Sequence, residues 1–71
     1  VAHTFEDLVA LERAAEQART ALFDSEASPG ARQAWLDAAA VFQAAVTEYA
    51  AAEGESRVTV EMAVKKAVRH P

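Results

Sequence analysis

Between positions 34 and 46 only Asp37 and Gln43 are polar. The rest of that stretch is alanine, tryptophan, leucine, valine and phenylalanine, with no glycine or proline to break it. Alanine has the best intrinsic helix propensity, so the stretch is read as helix. A helix apolar around so much of its circumference cannot stand alone in water; it must be covered on several sides. Any fold for this chain has to supply that cover.

The supply is small. The chain has 71 residues, which is read as one domain, 1–71. A chain of this size buries a modest fraction of its surface and is marginal without disulfides, a metal or self-association. It has no cysteine, which excludes disulfides, iron–sulfur clusters and thiolate zinc sites. Self-association is the remaining support. Apolar residues make up 52% and aromatics only 7%, because 19 positions are alanine. Alanines let helices approach closely but bury little area, so the fold is strongly helical while each helix pair gains little.

Three helices follow from the pattern. Thr4 caps the first, over about 5–24, with Glu6 and Asp7 facing the positive end of its dipole. Leu8, Leu11, Ala15, Ala18 and Leu22 recur at heptad spacing along it. Residues 24–30 form a break. Ser28 and Pro29 then read as the cap and first position of a second helix, 29–53, which ends on Gly54. Its seam is Trp35, Ala38, Phe42, Ala45, Tyr49 and Ala52. The short loop predicts an antiparallel hairpin, with large side chains meeting small ones along the seam. Thr59 is read as the cap of a third helix, 59–70, striped by Val60, Ala63, Val64, Ala67 and Val68. Residues 58–62 also alternate like a strand, but a lone strand has no partner here, so helix is preferred.

Charge is uneven. Residues 1–56 carry ten acids and three bases, a balance of −7; residues 57–71 carry four bases and one acid, a balance of +3. An acidic body disfavours nucleic-acid binding, which depends on neutralising phosphates. Arg57, Lys65, Lys66 and Arg69 form a candidate basic patch, for which the plain alternative is a surface stripe paired with Glu61 along one helix. Glu12 and Glu16 lie one turn apart, and with Arg13 and Arg19 nearby they read as a solvated charged face. His3 and His70 stand near the two ends and read as solvated. No nucleophile with a base, no phosphate-cradling loop and no metal-ligand spacing is present, so the chain is expected to be no enzyme and to need no cofactor. No stretch is long and apolar enough to span a bilayer, and no signal peptide is visible. A cytoplasmic location is the expectation.

Two motifs resemble known families. Tyr49 and Glu53, separated by three alanines near the end of the second helix, are similar to the Tyr-x-x-x-Asp/Glu signal of the small helical-hairpin substrates of type VII secretion. That resemblance implies an exported hairpin, with Tyr49 and Glu53 as its signal. The Trp-x-Gly turn of those proteins is absent. Asp24 and Ser25 are similar to the Asp-Ser pair that carries phosphopantetheine in acyl carrier proteins, but Phe23 and Glu26 replace the flanking residues of that motif.

The expected fold is all-α, an antiparallel hairpin with a short third helix, dimerising into a bundle. The expected function is a non-enzymatic interaction or scaffold module that self-associates through its second helix. Trp35, Leu36, Ala40, Val41, Phe42, Ala44 and Tyr49 are its candidate interface. The partner is a second copy, as a homodimer, or another helical protein. The alternatives are the type VII-like substrate and a small nucleic-acid-binding regulator using the basic third helix.

Overall fold

The computed structural model of the chain describes residues 3–24, 26 and 28–70. Three helices follow one another, α1 (Phe5–Leu22), α2 (Ala31–Glu53) and α3 (Arg57–Arg69), with no strand among the described residues. The fold is all-helical, and residues 57–62 begin a helix.

The helix ends show why. Thr4 caps α1: its hydroxyl accepts the Asp7 N–H at 3.1 Å, while the Asp7 carboxylate accepts the Thr4 N–H at 2.9 Å. This reciprocal box satisfies two donors that a helix start leaves open. The Thr4 backbone N–H, and then its side chain, hold the Asp7 carboxyl below the usual carboxylate range. A depressed carboxyl stabilises the folded state above its unfolded pKa, and that contribution is lost as pH falls through the folded value. Thr4→Ala is expected to cost about 1 kcal/mol at neutral pH and to raise the Asp7 midpoint in an NMR titration. An unchanged stability would mean that the Thr4 hydroxyl does not cap the helix.

α1 stops two residues sooner than the periodicity suggested. The Phe23 N–H reaches back to both Arg19 and Thr20 carbonyls at 3.3 and 3.2 Å, a tightened last turn of the kind that closes helices. α2 starts at Ala31 and not at Pro29. Ser28 and Pro29 make a turn closed by the Ala31 N–H on the Ser28 carbonyl at 3.0 Å, with proline in the second position that its fixed φ suits. Gly30 is the cap residue, without a side-chain bond. Gly54 ends α2 at φ +68°, the left-handed conformation that glycine adopts at least cost. Ser56, rather than Thr59, caps α3; its hydroxyl oxygen accepts the Thr59 N–H at 3.1 Å.

α1 and α2 run antiparallel. His3 at one end of α1 meets Glu48 near the far end of α2, with 2.9 Å between Nε2 and Oε2. The Phe5 and Tyr49 rings pack edge-on at 6.4 Å. At the other end, Ala18 and Ala21 border the same depression as Ala31 and Ala34. α3 lies against both helices, with Val60 and Val64 fully buried. Leu8, Phe42, Ala45, Val46, Ala50, Val60 and Val64 form one core cluster, flanked by Val9, Leu11 and Tyr49.

The buried face of α2 is therefore not the seam expected for a hairpin alone. Val46 and Ala50 are buried, whereas Ala52 is exposed and Trp35, Ala38 and Tyr49 are half-buried. A two-helix seam needs one narrow stripe; the third helix widens and rotates the arc that is covered. On α3 itself, Ala63 faces solvent and not the core.

Candidate interaction surface

The face of α2 turned away from the core begins at Leu36 and repeats every four residues through Ala40 and Ala44. Val41 stands beside that row. At ~100° per residue, these four positions spread over about 140° of the helix, opposite the arc that holds Phe42, Ala45, Val46 and Ala50. All four are exposed, Leu36 to 43% and Val41 to 54%. α2 has 23 residues and α3 has 13, roughly 35 Å against 20 Å of helix. Neither α3 nor α1 reaches around to this side. Asp37 and Glu48 fall within this arc, at about 100° and 120° from Leu36, and stand toward its two ends along the helix axis. Asp37 accepts a hydrogen bond from the neutral Gln33 amide at 2.8 Å, and Glu48 is the partner of His3.

The other three candidate interface residues lie elsewhere. Phe42 is only 2% exposed and belongs to the core, so it offers no surface to a partner. Trp35 and Phe42 border an open cleft of about 260 Å³ together with Glu12, Ala15, Gln43 and Lys65. Tyr49 is half-buried against Phe5, and Glu53 is exposed at the last residue of α2. Ser25 lies outside the described residues.

Of the basic residues, Lys65, Lys66 and Arg69 border one depression with Met62 and His70, while Arg57 lies apart. Lys65 turns inward to Glu12, with Nζ 2.8 Å from Oε2. Its ammonium also stands 5.7 Å from the centre of the Phe42 ring, within cation–π range. Arg57 donates to the Gln43 side-chain oxygen, and the Gln43 amide donates to Glu61 at 3.2 Å. The paired stripe expected along α3 is thus replaced by contacts to other helices. Lys66 and Arg69 remain exposed. Beside them Val58 and Met62 are each 66% exposed, giving α3 a mixed apolar and basic outer face.

Glu12 also departs from the sequence reading. It is 4% exposed, held at the junction of all three helices rather than on a solvated face. Glu16 does remain outside, 3.9 Å from Arg19. The signal that marked Glu12 was its place beside Leu8 and Ala15 on the apolar side of α1. His3 is engaged by Glu48, where the sequence suggested a solvated side chain. Among the described residues no three His, Cys, Asp or Glu side chains converge on a point that could hold a metal ion. No described helix is long and apolar enough to cross a membrane. Comparison of the chain with protein families, curated proteins and solved structures gives no match.

Proposed function

We propose that this protein is a small non-enzymatic interaction module that self-associates through the outer face of α2. The observation that supports this reading is the exposed strip of Leu36, Ala40, Val41 and Ala44 on a helix whose other side is already in the core. Contiguous exposed apolar side chains bordered by polar ones mark interaction surfaces. The alanines keep the strip low, so a second helix can approach closely. A homodimer is the smallest assembly that covers it, and the product is a helical bundle. The carboxylates and bases that could have served chemistry are instead spent on holding helices together, Glu12 with Lys65 and Glu61 with Gln43.

Sedimentation equilibrium tests the reading. The wild-type protein is expected to exceed its monomer mass of 7.6 kDa increasingly with concentration. Leu36→Glu combined with Val41→Glu is expected to remain monomeric while keeping its helical circular dichroism, because both positions are exposed. A wild-type mass that stays at the monomer value at every concentration overturns the reading.

A further inference from the structure

The outer faces of α2 and α3 are opposite in charge and alike in apolar content. α2 presents Leu36, Ala40, Val41 and Ala44 with Asp37 and Glu48 on the same arc; α3 presents Val58 and Met62 with Lys66 and Arg69. We infer that the surface that covers α2 is the outer face of α3 from a second copy. The inference rests on the self-association proposed above and names the contact through which it occurs.

Lengths agree. Positions 58 to 69 span about 17 Å and positions 36 to 48 about 18 Å of helix. In an antiparallel pairing that seats Met62 in the low ground of Ala40 beside Val41, Lys66 falls opposite Asp37. Asp37 is the carboxylate suited to it. Its hydrogen-bond donor is the neutral Gln33 amide, and it has no ion pair among the described residues, whereas Glu48 already faces His3. An antiparallel pairing of α2 with α2 about position 42 would instead bring Asp37 to the second copy's Glu48, a like-charge contact.

Such a contact closes at two copies when a two-fold axis makes it twice, α2 on α3 and α3 on α2; made once, it leaves a face open on each copy and assembly continues as concentration rises.

A charge-swap experiment by sedimentation velocity tests the inference on the full chain at low salt. Asp37→Lys and Lys66→Glu both alter exposed side chains, and circular dichroism checks that each variant folds. Each alone is expected to weaken association about tenfold, because a repulsive pair replaces an attractive one. Mixing the two variants is expected to restore association, and so is combining both changes in one chain. High salt is expected to erase the difference between wild type and variants. If the wild type associates while Lys66→Glu associates equally well and mixing adds nothing, α3 is not the covering surface, and the self-association through α2 stands without it. If the wild type does not associate at all, the underlying reading fails first.

Discussion

Phe42→Ala is expected to remove most of the stability of this protein. Phe42 is the largest fully buried side chain, and it packs among Leu8, Ala45, Val46, Val60 and Val64. Truncating a buried phenylalanine costs about 3–5 kcal/mol, the lost transfer energy plus the cavity left behind. The upper part of that range applies here. Of these neighbours Ala45 is too short to move into the space, and the rest are held by three different helices. The ring also faces the Lys65 ammonium, a contact that disappears with it. Small domains hold at the low end of about 5–15 kcal/mol, so the loss consumes most of the stability. Urea melts followed by circular dichroism measure it. A loss below about 0.5 kcal/mol, the range of surface positions, would place Phe42 outside the core. Val41→Ala, one residue away on the exposed face, is the control expected to stay within that range.

Breaking the Glu12–Lys65 pair is the second large effect. Lys65→Met removes the cation and leaves the Glu12 carboxylate at 5% side-chain exposure without its ion partner. An uncompensated buried charge costs about 3–5 kcal/mol, and we expect about 2–3 because Lys65 lies 36% in water and part of its attraction is already screened. Glu12→Leu in the same background removes the stranded charge and is expected to recover most of that loss, since apolar replacement of a buried pair is often neutral. The same urea melts read both variants. A double variant no more stable than Lys65→Met would mean that the carboxylate is not the source of the loss. The pair also ties α3 to α1, with Lys65 Nζ 2.8 Å from Glu12 Oε2.

The helices were legible because their signals are local. Thr4, Gly54 and the apolar spacing of α1 act within a few residues of themselves, and the structure keeps all three. The α2 seam was misplaced because burial there depends on α3, whose position no spacing within α2 reveals. Val46 and Ala50 share the core cluster with Val60 and Val64 of α3. The charges along α1 alone place Glu12 on a solvated face, whereas its partner stands 53 positions away. The stripe on α3 failed for the same reason: Arg57 and Glu61 share Gln43 of α2 instead of each other. The caps expected at Ser28 and Thr59 fall instead on Gly30 and Ser56, because each segment holds two competent residues and the turn ahead of the helix decides between them. The outer strip of α2 was partly legible, since Leu36, Ala40, Val41 and Ala44 are left over by any seam through Phe42.

The decisive measurement is a dilution series of heteronuclear NMR spectra. As concentration rises, the methyl signals of Leu36, Ala40, Val41 and Ala44 are expected to move together along one binding curve, while those of Val46 and Val64 inside the core stay in place. Spectra that superimpose at every concentration, or shifts gathered on some other part of the surface, would contradict an α2 that seeks a second copy.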